Sequence, residues 1–139
     1  MERILPLLQG DSKNIPVVSC TGYDFATGGA VNINADHVTA AMAEALQAQR
    51  VLFLSNVKNG IEDGDRNRIP ELTPERAHEL ITSGVIDGGM KTKVMTCLDM
   101  LNRSGVNVAV LSPEGIQEEL FTRDGSQSAT LIRHEKIAL

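Results

Sequence analysis

Tryptophan is absent from this 139-residue chain, and three Phe with one Tyr bring aromatics to only 3%. Any core must therefore be built from Val, Ile, Leu, Ala and Met, the usual filling of a parallel sheet flanked by helices. Cysteine is almost as scarce. Cys20 and Cys97 show no metal-ligand spacing, so they read as free thiols of a reducing compartment, with no catalytic part. No apolar run approaches the roughly 18 residues of a membrane span, and Met1 to Leu8 is too short and too charged for a signal peptide. A cytoplasmic protein without a membrane partner is the expectation. Basic clusters are missing as well: the net charge is −5 and the pI near 5.1. Nothing here supports the counterion release on which nucleic-acid binding depends, which excludes that class of partner.

What is present suits one core. Hydrophobic residues make up 42% of the chain, and a domain of this length buries about 68% of the surface its unfolded form exposes. Ile15 to Ser19 is a short β-branched run introduced by Pro16, the signature of a buried strand, and a Gly-bearing loop follows from Thr21 to Ala30. Ala35 to Gln49 places Val38, Ala41, Met42, Ala45 and Leu46 at helical spacing, and Arg50 to Leu54 is a continuous apolar strand. Gly60 to Arg68 is turn-rich and charged, a solvated hairpin or loop. It lacks the bidentate Glu and the ligand spacing of a calcium loop. Thr73 caps a helix that takes Pro74 at its first position and ends at Gly84. A second helix opens at Gly88-Gly89 and runs to Asn102 with Met90, Val94, Cys97, Leu98 and Leu101 on one face. Asn107 to Leu111 reads as a buried strand, Gly115 to Phe121 as a short helix and Thr130 to Arg133 as a last strand.

Two motifs carry chemistry. In Asn32-Ile33-Asn34-Ala35-Asp36 the polar residues alternate with apolar ones, so in an extended chain Asn32, Asn34 and Asp36 share one face and can grip a small ligand. The plainer role for Asp36 is to cap the helix that follows. The second motif is Gly88-Gly89 ahead of Lys91 and Lys93. Two glycines let a ligand approach the backbone, and the free N–H groups of a helix N-terminus suit an anion such as phosphate. Lysine beside the positive end of a helix dipole is unfavourable unless an anion is bound there. An ordinary connection between helices, with an exposed lysine nearby, is the plainer alternative.

Taken in order, Val31 to Asp36, Leu54-Ser55-Asn56-Val57 with Gly60-Ile61, Glu71-Leu72-Thr73, Leu80-Ile81 with Gly84-Val85-Ile86, Gly88-Gly89-Met90 through Lys93-Val94, and Glu119-Leu120-Phe121-Thr122 resemble the C-terminal lobe of the acetylglutamate kinases. The resemblance covers almost the whole chain. It implies an α/β three-layer sandwich with a mainly parallel sheet, the amino acid kinase (carbamate kinase-like) fold. It also implies ATP as phosphoryl donor, magnesium carried on the nucleotide, and phosphorylation of the side-chain carboxylate of N-acetylglutamate, or a similar acyl amino acid, in arginine biosynthesis. Lys93 matches the lysine that contacts the transferring phosphoryl group, and Asp36 the aspartate that organises catalytic lysines. Asn32 matches an asparagine of the acyl-amino-acid site, with Asn34 beside it. Ser55, Asn56, Gly88, Gly89, Met90 and Lys91 fall in segments that line the nucleotide.

The chain also departs from that family's pattern. Position 56 is Asn where the family has Asp, Lys91-Thr92 replaces Ile-Pro, and Glu114 stands where the family has His, in a region that forms the arginine inhibitor site of sensitive relatives. The family's N-terminal lobe, with a Lys near a phosphate-cradling Gly-Gly loop and a substrate Arg, precedes the equivalent of Ile15 to Ser19. The expectation is thus a single domain over 1–139 corresponding to the ATP-binding lobe, completed by a companion N-lobe chain or by self-association. A non-catalytic nucleotide-binding or regulatory module is the alternative.

Overall fold

The computed structural model describes residues 15–57, 60–116 and 128–134. Its first regular element departs from the sequence reading. Ile15 to Ser19 is not a strand: the segment is irregular and mostly exposed, and Pro16, Val18 and Cys20 line a hollow of about 400 Å³ against Val51 and Leu52. Pairing falls instead where a loop was expected, between strand β1 (Thr21–Asp24) and strand β2 (Gly29–Asn32), an antiparallel hairpin in which Thr21 faces Asn32. Asp24 explains the reversal. Its carboxylate accepts from the Ala26 N–H at 2.9 Å and the Thr27 hydroxyl at 2.6 Å, while its carbonyl accepts from the Gly28 N–H at 2.8 Å. Such a side-chain turn supplies a connection that apolar periodicity does not reveal. The same bonds, that of Thr27 first, hold the Asp24 carboxyl below its ordinary range.

Helix α1 (Ala35–Ala45) follows, capped by Asn34, whose side-chain oxygen accepts from the Asp36 N–H at 2.8 Å. The cap is therefore Asn34 and not Asp36, and the helix stops four residues short of Gln49. Gln47 adopts φ 50°, a left-handed conformation that breaks it before strand β3 (Arg50–Leu54). A two-residue strand β4 (Glu71–Leu72) precedes helix α2 (Pro74–Thr82), where Thr73 caps as expected, accepting from the Arg76 N–H at 3.3 Å. Helix α3 (Gly88–Ser104), strand β5 (Asn107–Leu111), a 3-10 turn (Pro113–Gly115) and strand β6 (Ala129–Ile132) complete the described chain. The expected helix from Gly115 to Phe121 lies mostly outside the described residues.

The main sheet runs β3-β5-β6-β4, with β3 parallel to β5, β4 parallel to β6, and β5 antiparallel to β6. Alternation sends Val51, Phe53, Val108, Val110 and Ile132 to one face, into a core shared with Ala43, Leu80, Val94, Cys97, Leu98 and Leu101 of the three helices. Ala109, Leu111 and Ala129 pack on the opposite face with Leu52, Ile116 and Leu131. Burial on both faces is why β3 and β5 read as unbroken apolar runs. Among the described residues, no helix is long and apolar enough to cross a membrane.

Leu98 is buried to 2% exposure at the centre of α3, whereas Thr73 contributes one exposed cap. In urea unfolding followed by circular dichroism, Leu98→Ala is expected to cost about 3 kcal/mol and Thr73→Ala about 1 kcal/mol.

Candidate functional site

Parallel pairing of β3 with β5 puts Leu54 and Leu111 at the same end of the sheet, and the ladder runs one residue further through the Ser55 N–H to the Leu111 carbonyl at 2.9 Å. Two helix N-termini converge there. The Lys93 ammonium reaches across 57 residues of chain to the Asp36 carboxylate at 2.7 Å and lies 4.9 Å from the centre of the Phe53 ring. Both side chains are largely withdrawn from water, with Lys93 15% and Asp36 19% exposed. Asp36 sits in the first turn of α1, where a negative charge is favoured by the helix dipole. Lys93, the sixth residue of α3, stands in its second turn, so the dipole penalty falls on Lys91 and the Lys93 charge is balanced by Asp36. Below Lys93, burial pushes the Cys97 thiol up to about 12, opposed by the nearby Lys93 charge and aided by Asp36.

A cleft of about 410 Å³ opens at the same end of the sheet. Asn56, Val57, Gly60, Ile61 and Glu62 form one side, and Val85, Ile86 and Met90 the other. Its lining mixes apolar side chains with the Asn56 amide and the Glu62 carboxylate, which suits a flat group that offers both an apolar face and hydrogen-bonding atoms. The N-terminus of α3 beside it differs from those of α1 and α2, because Asp87 at the cap position makes no side-chain cap bond. Its first backbone N–H groups therefore lack a capping side chain. Gly88 enters the helix at φ +55°, a conformation that favours glycine. A Cβ at Gly88 or Gly89 would meet nothing within 4 Å, so the ground above this helix end is open.

Of the residues singled out in the sequence, Asp36 and Lys93 are joined directly, and Asn56 and Met90 line one cleft. Gly88, Gly89 and Lys91 are exposed at the adjoining helix start, and Ser55 is half-buried in the ladder that leads to it. Asn32 and Asn34 are exposed at the end of the hairpin, but Asn34 spends its side-chain oxygen on the cap and has only its amide hydrogens to offer a ligand. Sequence reasoning about single residues passed over Phe53 under Lys93, and Glu62, Val85 and Ile86 in the cleft. Gly60 was the available signal there, a glycine at the start of a charged loop that here takes φ +91°.

Residues 1–112 match the model of the "Amino acid kinase family". The chain belongs to the amino acid kinase family. Among curated relatives it is 42% identical to the acetylglutamate kinase of Sulfurihydrogenibium sp. (strain YO3AOP1), over 86% of this chain and 40% of that one. It is 45% identical to the acetylglutamate kinase of Gluconacetobacter diazotrophicus, over 96% and 42%. The chain thus spans about two fifths of the length of the curated relatives it matches. The amino acid kinase fold recurs in solved structures. N-acetylglutamate synthase from Neisseria gonorrhoeae, complexed with coenzyme A and L-arginine, aligns with a TM-score of 0.79 at 24% identity, covering 96% of this chain and 31% of that one. Carbamate kinase from Giardia lamblia bound to AMP-PNP aligns at 0.61 and 17% identity, covering 83% and 41%. At such identities the likeness concerns the fold alone.

The sheet and the ion pair make a testable statement about the thiols. Cys97 is fully buried with its ionisation suppressed, whereas Cys20 is half-buried. A colourimetric thiol reagent at pH 8 is expected to titrate Cys20 in the native protein and both cysteines in guanidinium. Because the folded thiol ionises near 12 rather than at its ordinary 9.0, the folded state holds more protons between those values, and stability must fall as pH rises through that window. Cys97→Ala should make the decline shallower than in the parent.

Proposed function

We propose that this chain is the nucleotide-binding part of an ATP-dependent kinase that phosphorylates the side-chain carboxylate of N-acetylglutamate, or of a similar acyl amino acid. The observation that carries the reading is the Lys93–Asp36 pair, held at 2.7 Å beside an uncapped helix N-terminus and a cleft of mixed polar and apolar lining. In open α/β sheets such a crevice, outside the carboxyl ends of parallel strands, is where ligands bind.

Each part has a role in that chemistry. A carboxylate nucleophile is already ionised at neutral pH, so transfer to it needs no general base and depends on alignment and charge neutralisation. Lys93 supplies the positive charge toward the transferring phosphoryl group. Asp36 takes no proton: its charge-assisted bond fixes the ammonium, and Phe53 holds that ammonium from below. Asn56 and Met90 bound the pocket for the base, while Gly88, Gly89 and Lys91 face the phosphates with the backbone N–H groups of α3. Ser55 sets the end of the strand from which that pocket springs. Asn32 and the amide hydrogens of Asn34 address the acyl amino acid without adding charge. Magnesium would come with the nucleotide. Among the described residues no group of three or more His, Cys, Asp or Glu side chains could hold a metal ion, and no step above passes through one.

Two measurements test the reading. Calorimetry with ATP should show saturable binding, weakened about tenfold by Lys93→Ala, a loss of the order expected for one charge-assisted contact. With N-acetylglutamate and a companion N-lobe chain present, hydroxylamine trapping of the acyl phosphate should show transfer that Lys93→Ala reduces by about 10²–10³, whereas this chain alone should give none. Absence of ATP binding at millimolar nucleotide would overturn the proposal, and ATP binding without trapped product in the presence of the companion chain would favour the regulatory module.

A further inference from the structure

Among the described residues Thr130 is the one polar side chain with no exposure at all, and it lies between the sheet and the loop that walls the cleft. Its hydroxyl accepts from the Ile61 N–H at 2.7 Å and donates to the Ile69 carbonyl at 2.6 Å, with the Ile61 carbonyl a longer alternative at 3.5 Å. Ile61 and Ile69 are themselves bonded, N–H of Ile69 to carbonyl of Ile61, at 2.8 Å. One hydroxyl therefore joins both legs of the 60–69 loop to β6. The neighbouring residues of β6 add two more ties: the Leu131 N–H reaches the Pro70 carbonyl at 2.9 Å, and the Arg68 guanidinium reaches the Ala129 carbonyl at 2.7 Å. Contact is close enough to forbid a side chain at position 60, where the loop lies against β6. A Cβ at Gly60 would come within 2.6 Å of the Thr130 hydroxyl and 2.9 Å of the Ala129 backbone.

The first leg of this loop, Gly60-Ile61-Glu62, lines the cleft assigned above to the nucleotide. We infer that Thr130, some 70 residues from the loop in sequence and absent from the cleft lining, is a positioning residue that sets nucleotide affinity by holding the 60–69 loop in its receiving conformation. The inference rests on the proposed nucleotide reading. Removing the hydroxyl leaves the Ile61 N–H buried without its acceptor, a cost the loop can escape only by moving outward into water. Once the closed loop is populated a tenth of the time, apparent affinity falls by the same factor.

Thr130→Val keeps the shape and deletes the hydroxyl, and Thr130→Ser keeps the hydroxyl. ATP affinity should be measured for both and for the parent well below their unfolding midpoints, together with amide hydrogen exchange at Ile61. The expected result is about a tenfold weaker ATP complex and faster Ile61 exchange in Thr130→Val, with Thr130→Ser restoring both. Unchanged ATP affinity in a folded Thr130→Val protein, or unchanged Ile61 exchange, overturns the inference. Should Thr130→Val fail to fold, Arg68→Ala loosens the same loop from its outer tie. It is expected to weaken ATP about threefold, and parent-like affinity there overturns the inference equally. If the parent itself binds no ATP, the nucleotide reading fails first and this inference falls with it.

Discussion

Parallel pairing of β3 with β5 is the constraint from which the rest of the site follows. Two parallel strands cannot be joined by a tight turn, so the chain between Leu54 and Asn107 must travel back along the sheet, and it does so as β4, α2 and α3. Helices α1 and α3 begin near the end where β3 and β5 finish, whereas α2 begins where β4 finishes, at the opposite end, because β4 runs against β3 and β5. Two helix N-termini and two strand C-termini therefore meet on one edge, which collects partial positive charge and backbone N–H groups. The aliphatic core enforces the arrangement, since Val51, Phe53, Val108 and Val110 leave water only if α3 lies across them.

On that edge a charge pair has been taken largely out of water. Burying Lys93 and Asp36 carries a desolvation cost that their attraction offsets only with good geometry, and the 2.7 Å contact above the Phe53 ring meets that condition. A salt bridge in such a position is weak as a device for stability. Its consequence is orientation: the ammonium has a fixed direction before any ligand arrives, so little reorganisation is left for the moment of transfer. Asn34 contributes at one remove, because the cap it makes through the Asp36 N–H fixes the turn that carries the carboxylate. One asparagine thus has a structural duty that the match to a substrate-binding motif does not reveal.

The cleft depends on a different long-range contact. Its Gly60-Ile61-Glu62 wall has no helix or strand of its own beyond a single bridge between Glu62 and Arg68. A loop with so little local structure takes its shape from what it is tied to, and here the ties run to β6, at the far end of the described chain. Helix α3 forms the opposite wall through Met90 while also carrying Lys93. Cleft and ion pair are therefore rigidly related through one helix and one strand, which suits a ligand with an apolar ring at one end and phosphate at the other.

The sequence alone determined those features whose cause is local. Asn107 to Leu111 is a strand because the apolar run Val108 to Leu111 lies between a glycine-terminated helix and a Ser-Pro turn. Helix α2 starts at Pro74 because Thr73 can cap it, and α3 starts at the glycines because Asp87 precedes no earlier apolar period. Family resemblance, spread over motifs from Val31 to Thr122, implied roles for Lys93 and Asp36. Tertiary structure decided the rest. It made a hairpin of Thr21 to Asn32 through the Asp24 turn, and left Ile15 to Ser19 irregular, because β propensity yields a strand only where a neighbour supplies hydrogen bonds. It also set β6 against β5 in antiparallel sense and brought the Thr130 hydroxyl onto the 60–69 loop. A threonine in a short apolar strand carries no local mark of such a task, since the partner of a buried hydroxyl is chosen by packing and not by sequence spacing.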